Sequence, residues 1–244
     1  MSGLQLGLLL AVATVAGVVR GYSGFGFSAI VIAGASLVIP PATVVPALFM
    51  LEIAASIHML PSVRSDIDYP NFWPMLAGCA VGLPIGQYLL AHLEPNTIRM
   101  YLSLGVLVSA FLIWRGISFK REMNVPLAAF TGFLTGFGSG LASIGGLFAM
   151  VIFLGTSYPP ARVRAVFVAM FFAMYVYGIG IAAMNGLISW ATIWIAIILL
   201  VPMIMGIVVG QRQFLSATPE AFRRFALLLL MILASIGILR IAFA

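Results

Sequence analysis

Charged residues are scarce in this chain: Asp, Glu, Lys and Arg together make up 7% of its 244 residues. A soluble globular domain carries roughly 25% charged residues, so this deficit excludes a surface that water solvates throughout. Hydrophobic residues reach 63%, and the mean hydropathy is +1.19. The composition predicts an all-α polytopic protein that the lipid bilayer solvates.

Cysteine and histidine are also rare, which excludes several kinds of site. The single cysteine, Cys79, cannot form an intrachain disulfide, and the two histidines, His58 and His92, complete no Cys/His metal-binding spacing. No nucleotide-binding P-loop motif is present. We therefore expect no catalytic residues, no cofactor and no bound metal, and the chain is not predicted to be an enzyme.

The net charge of +6 comes from cations scattered between apolar runs. Such scatter is typical of topology determinants and not of a nucleic-acid-binding surface. The expected partners are the bilayer and a small anionic substrate, with no nucleic acid, and a homodimer stays an open arrangement.

Ten apolar segments can be drawn, and three of them, Phe25–Val38, Pro126–Phe137 and Ile144–Leu154, are shorter than the ~20 residues of a full span. These three are predicted to be half-helices that stop within the membrane. The first segment has no basic region before it and is interpreted as a membrane helix, not a cleaved signal peptide. The other segments are Leu4–Val19, Thr43–Leu60, Phe72–Leu90, Ile98–Trp114, Arg162–Met184, Ile188–Val209 and Phe222–Ile241.

A glycine-rich break occurs twice, at Gly21–Phe27 and Gly140–Gly146, and Pro-Pro-Ala follows each at the same distance. At a slightly different offset, a Gly-Gln…Pro…Arg pattern also recurs. We interpret residues 1–116 and 117–244 as two copies of a five-segment unit. An odd number of segments inverts the second copy relative to the first. The matched pairs are Gly17/Gly136, Gly21/Gly140, Gly26/Gly145, Pro40/Pro159, Pro41/Pro160, Ala42/Ala161, Ala54/Ala173, Gly82/Gly206, Gly86/Gly210, Gln87/Gln211, Pro95/Pro219 and Arg99/Arg223.

The basic residues predict the orientation of this topology. If both termini lie on one side, only Arg99 and Arg240 fall on that side, and the remaining cations fall on the other. The positive-inside rule then makes the richer side cytoplasmic and both termini external. The Arg115–Arg121 loop between the halves is predicted to be cytoplasmic, in a multi-pass protein of the cytoplasmic (inner) membrane.

The two glycine breaks are the predicted substrate site. Unwound backbone in lipid persists only where it lines a polar cavity or is capped by neighbours, and a helix that starts after a break offers free N–H groups to an anion. Close helix packing is the alternative role for these glycines. The candidates at the breaks are Ser23, Gly24, Gly26, Ser28, Ser139, Ser143, Gly145 and Gly146.

Three charged residues are further candidates, because charge inside a membrane is rare and usually functional. Arg20 adjoins the first break and either binds an anion or extends to the interface. Glu52 lies within an apolar run and either pairs with Arg20 or Arg164, exchanges a proton, or stays neutral in a helix contact. Arg164 either meets lipid phosphate or contacts the substrate or Glu52.

Gln87 and Gln211 end two stripes of small residues as a matched pair. They are candidates for substrate donors, and hydrogen bonding between packed helices is the alternative.

The two glycine motifs, each followed by an apolar run and a proline turn, resemble those of the TauE/SafE sulfite exporters, also called the TSUP permeases. The similarity covers nearly the whole chain. The typical triple glycine stands here as Gly26-Phe27-Ser28 and Gly145-Gly146-Leu147. The resemblance implies a transporter of a small sulfur-containing or organic anion, such as sulfite, a sulfonate or a sulfur-containing carboxylate.

The sequence therefore predicts a secondary transporter that moves a small anion by alternating access, with proton coupling as an option. An anion channel and a membrane scaffold that transports nothing are the alternatives.

Overall fold

The computed structural model describes residues 3–36, 39–114 and 123–215, and those of 218–232 other than 219, 223 and 230. Side chains are described for the same residues apart from 3–5, 102, 106, 110 and 112–114. This part of the chain contains no β-strand. Its helices are α1 (Gly3–Ser23), α2 (Phe27–Ala35), α3 (Pro41–Val63), α4 (Tyr69–His92), α5 (Pro95–Trp114), α6 (Val125–Ala142), α7 (Gly145–Leu154), α8 (Pro160–Met184) and α9 (Trp190–Phe214).

Each of the helices α1 to α9 overlaps one of the first nine predicted segments, in the same order. The tenth, Phe222–Ile241, lies largely outside the described residues, although those described between 220 and 232 are mostly helical. The Arg115–Arg121 loop and the predicted boundary between the halves also lie outside the described residues.

The glycine breaks end α1 and α6. Gly24 and Gly26 adopt φ angles of 81° and 94°, which non-glycine residues rarely adopt, so α1 stops and α2 starts afresh. After α6 the turn is made by Ser143, whose φ is 57°. Helices α2 and α7 have 9 and 10 residues, too few to cross a bilayer.

One predicted half-helix was wrong. The segment Pro126–Phe137 extends to Ala142 and forms α6, whose 18 residues make it a candidate membrane span. The helix continues because Gly136 and Gly140 pack it directly against the backbone of α4. The close backbone packing that glycine permits stabilises α6 by more than the low helix propensity of glycine destabilises it.

Two helix pairs, α1 with α9 and α4 with α6, make the most extensive contacts in the described chain. Both are held by glycines against backbone. A Cβ on Gly206 would lie 2.8 Å from the Val18 nitrogen, and one on Gly82 would lie 2.8 Å from the Phe137 nitrogen. Residue numbers rise together along both helices of each pair, so each pair is parallel.

Helix directions follow from which ends meet. The C-terminal residues Val63 of α3 and Phe214 of α9 line one cavity, so α3 and α9 end at the same face. A short 3-10 turn, Arg64–Asp66, joins α3 to α4, and α4 therefore starts at that face. We call it the basic face, because Arg64, Arg162 and Arg212 lie there.

The outer surface is apolar in the manner of a lipid-facing protein. Helix α9 has a mean hydropathy of 2.8, yet only 33% of its span is buried inside the protein. In water such a surface would drive aggregation, whereas lipid solvates it. Six helices in the described chain, α1, α3, α4, α6, α8 and α9, are long and apolar enough to cross a membrane.

Candidate functional site

The two glycine breaks face each other across a small buried cavity. Its volume is about 10 Å³, which is room for one water molecule. An anion with several non-hydrogen atoms does not fit this volume, so the site is closed in this conformation. The residues that line it are Gly26, Ser28, Ala29, Glu52, Ser143, Gly146, Leu147, Phe171 and Tyr175.

A buried ion pair lies at one side of this cavity. Arg20 is 0% exposed and Glu52 is 1% exposed, and Arg20 Nε lies 2.7 Å from Glu52 Oε2. The Ser28 hydroxyl donates to Glu52 Oε1 at 2.8 Å, and Arg20 Nη2 donates to the Ser56 hydroxyl at 3.0 Å. Of the partners proposed for Glu52, the structure pairs it with Arg20.

The ion pair leaves hydrogen-bonding capacity unused. Among the described residues, Arg20 Nη1 has no hydrogen-bond partner, and neither has the buried Ser143 hydroxyl. Desolvation of such a pair costs several kcal/mol per ion, so a buried ion pair is weak evidence for a stabilising role. Unused donors beside a cavity are instead what an anion-binding site requires.

The matching position in the other half is polar but uncharged. Ser139, the counterpart of Arg20, accepts a hydrogen bond from the Tyr175 hydroxyl at 3.4 Å. Phe171, the counterpart of Glu52, lies with its ring centroid 5.1 Å from Arg20 Cζ. The cation therefore sits between a carboxylate and an aromatic ring, which both favour positive charge.

Arg164 caps the end of α1. Its Nε and Nη2 donate to the Gly21 carbonyl at 3.3 and 3.0 Å. That carbonyl belongs to the last turn of α1, where the helix leaves carbonyls without intrahelical partners. The Arg164 guanidinium carbon also lies 4.6 Å from the centre of the Phe214 ring.

A larger cavity opens at the basic face. It has a volume of about 370 Å³, and Arg164, Gln211, Arg212 and Asp66 are among the residues that line it. Arg164 also contacts the first break, because a Cβ on Gly24 would lie 3.0 Å from its Cγ. Arg164 thus lies between the basic-face cavity and the first break.

The other predicted residues make local contacts. The Ser23 hydroxyl donates to Val19 O at 2.7 Å, as expected for a serine that ends a helix. Gln87 Nε2 donates to Gly178 O at 2.9 Å and holds α4 to α8, away from the small cavity. Gly145 packs against the Ser139 hydroxyl and Thr135.

Sequence reasoning did not select Ser56 and Tyr175, although they match each other at the offset of the two breaks. Each bonds the residue just before its break, Arg20 or Ser139. The signal was available in the offset, but a serine paired with a tyrosine does not stand out as a repeat.

A second polar cluster lies at the basic face, between the α3–α4 turn and the start of α8. Asp68 accepts hydrogen bonds from the Tyr158 hydroxyl and from Asn71 Nδ2. Burial acts to raise the pKa of Asp68, but these bonds and the Arg162 charge outweigh it and lower that pKa. Burial, with the Asp68 hydrogen bond, raises the pKa of Tyr158. Arg162 thus faces a carboxylate of the protein.

Within the described residues, no group of three or more His, Cys, Asp or Glu side chains could hold a metal ion.

A membrane-spanning helical bundle with an ion pair buried beside two interrupted helices is typical of transport proteins. The chain belongs to the sulfite exporter TauE/SafE family, whose model matches residues 9–237. The resemblance drawn from the glycine motifs is therefore confirmed, and the chain is a multi-pass membrane transporter from a family of sulfur-anion transporters, not of enzymes. Comparison with curated proteins and with solved structures gave no significant match.

Proposed function

We propose that this protein is a secondary transporter that moves a small monovalent or divalent sulfur anion, such as sulfite or an organic sulfonate, by alternating access. The observation that carries the proposal is the buried Arg20 beside a closed cavity between two glycine breaks. Arg20 Nη1 and the Ser143 hydroxyl supply free donors, and α2 and α7 begin beside the cavity with their N–H groups and positive dipole ends.

We also propose that the two halves are inverted repeats. The contact of α1 with α9 supports this, because it reproduces the contact of α6 with α4 at matched residues. Gly206 packs on Thr14 and Val18, and Gly82 packs on their counterparts Phe133 and Phe137. Helix α4 starts at the basic face whereas its counterpart α9 ends there, which is the relation that inversion requires.

The basic face is proposed to be cytoplasmic. Arg64, Arg162 and Arg212 lie there, whereas Arg99 lies at the other face, where its Nε donates to Ser36 O at 2.7 Å. This asymmetry is the one the positive-inside rule associates with the cytoplasm. With this orientation, α1 starts at the external side of the membrane. The membrane is proposed to be the cytoplasmic (inner) membrane of a cell.

Two features favour a carrier over the alternatives. The central cavity is closed and shares no lining residue with the larger cavity at the basic face, whereas an open channel requires a continuous water path. A scaffold has no need of a buried arginine with an unused donor, which costs stability without adding to it. Rocking of the halves would expose Arg20 to each side in turn, with Glu52 as the proposed site of proton exchange.

Transport into proteoliposomes tests this proposal. Purified full-length protein should take up labelled sulfite, methanesulfonate or sulfoacetate with saturable kinetics, and acetate should compete weakly. A carrier should also be accelerated by unlabelled substrate on the opposite side, whereas a channel should not. Arg20→Gln should lower the uptake at least tenfold, while the exposed Arg212→Gln should retain most of it. Absence of saturable uptake of every sulfur anion would contradict the proposal.

A further inference from the structure

We propose that, in the protein without substrate, the Glu52 carboxylate occupies the binding position of the substrate beside Arg20. A monovalent anion replaces the carboxylate at Arg20 only when Glu52 takes up one proton. This inference rests on the proposed function and specifies its coupling: one proton moves with each anion, in the same direction.

The first support is steric. The cavity beside Arg20 holds one water molecule, so a sulfonate of at least five non-hydrogen atoms enters only if a lining group moves away. Gly26 and Gly146 are backbone at the breaks, and Phe171 stacks near Arg20. The Glu52 carboxylate is the lining group that already holds the Arg20 guanidinium, so it occupies the position that an anion would take.

The second support is electrostatic. Two anions that share one buried site cannot both stay ionised, because the charge of one strongly favours protonation of the other. Arg20 and ionised Glu52 together are neutral. Addition of a monovalent anion makes the site negative, and one proton on Glu52 restores neutrality.

The other groups around Glu52 do not change the net charge of the site. Ser28 faces it from α2, Arg20 from α1, and Phe171 and Tyr175 from α8. Of these, Arg20 is the cation. Arg164 is the next cation, but it is bound to Gly21 O and shares the basic-face cavity with Asp66, which offsets its charge.

Neighbouring hydroxyls suit both states of Glu52. The Ser28 hydroxyl now donates to Oε1, and a hydroxyl can equally accept a hydrogen bond from a protonated carboxyl group. The Ser143 hydroxyl, buried and without a partner among the described residues, is free to donate to the bound anion. The proton comes from water at the face where the anion enters and returns to water at the face where it leaves.

The test uses liposomes with the full-length protein in the membrane and with a pH-sensitive dye and potassium methanesulfonate in the lumen. Methanesulfonate is a monovalent anion across the working pH range. Valinomycin and potassium set the membrane potential. When methanesulfonate leaves down its gradient, one proton should leave with each anion, the lumen should become alkaline, and the rate should not depend on the potential.

The diagnostic variant is Glu52→Gln, which keeps the size of the side chain and the contact with Ser28 but cannot ionise. It should still pass labelled methanesulfonate, lose at least nine-tenths of the proton movement, and become dependent on the potential. The matched control is Glu94→Gln, because Glu94 is exposed before α5 and should keep wild-type coupling.

The ratio of protons to anions moved by the wild-type protein tests the proposed coupling even if Glu52→Gln does not fold. Anion flux without alkalinisation would overturn the coupling but leave the proposed function standing, and so would proton movement at the wild-type ratio in Glu52→Gln. Faster transport of the divalent sulfoacetate than of methanesulfonate would overturn the preference for a monovalent anion. Failure of every sulfur anion to move would overturn both proposals.

Discussion

At the scale of single residues, the backbone pattern recurs in the two halves but the charges do not. Arg20 has Ser139 as its sequence counterpart, and Glu52 has Phe171. The charged pair therefore comes wholly from the first half, where it lies beside the break at Gly24 and Gly26. Arg164, contributed by the second half, binds that same break at Gly21 O. Charged side chains from both halves of the sequence therefore lie at the first break.

The Arg164 contact predicts a stability effect. Arg164→Met leaves the Gly21 carbonyl unsatisfied in a buried position, which costs about 1–3 kcal/mol. We expect the midpoint of thermal unfolding in detergent to fall by about 2–12 °C. Arg212→Met is the matched control, since Arg212 lines the same cavity but is exposed. Equal midpoints for the two variants would show that the Gly21 contact adds nothing.

At the scale of helices, stripes of glycine decide which elements pair. Gly17 on α1 meets Gly206 on α9, and Gly21 meets the backbone of Ile207, so the two helix backbones approach closely. In a membrane, lipid is as apolar as leucine, and helices associate through such close packing instead of through hydrophobic burial.

This packing predicts that one methyl group is enough to separate α1 from α9. A Cβ on Gly206 would collide with Thr14 O and lie 2.8 Å from the Val18 nitrogen, and neither backbone atom can move cheaply. Gly206→Ala should therefore destabilise the protein by about 1–3 kcal/mol and lower its transport. Gly180→Ala, in α8 with open space around it, should be neutral or slightly stabilising. Thermal unfolding of both variants provides the measurement, and equal loss in both would exclude the packing explanation.

At the scale of the whole molecule, the helix directions and the basic residues lead to one topology. The ends of α3 and α9 and the starts of α4 and α8 share the basic face. Arg99 and the end of α2 share the other face. These directions support the inverted arrangement that we propose for the two halves.

Cysteine labelling tests this topology, because Cys79 is buried and is the single cysteine of the chain. In a Cys79→Ala background, Ser65→Cys and Ser157→Cys should react with a membrane-impermeant maleimide only from the cytoplasmic side. Asn96→Cys and Met184→Cys should react only from outside. All four native positions are exposed. Labelling of Ser157→Cys and Met184→Cys from the same side would contradict the arrangement of the second half.

Much of the fold could be predicted because its signals are local. Apolar runs of known length predict helices, and a glycine pair or a proline predicts where they stop. The error at Pro126–Phe137 arose because glycine weakens a helix locally, whereas α4 stabilises this one through backbone contact. Nothing local to α6 reveals which helix it meets.

The sequence by itself determined the class of protein, the helical segments, the duplicated breaks and the family, since composition and spacing follow from covalent order alone. Only the tertiary structure decided that Glu52 pairs with Arg20, that Tyr175 bonds Ser139, and that the breaks enclose a cavity of about 10 Å³. These facts depend on which helix faces meet. In this chain, backbone contacts at glycines decide those faces, and the buried charges pair with whatever partner the packing brings within reach.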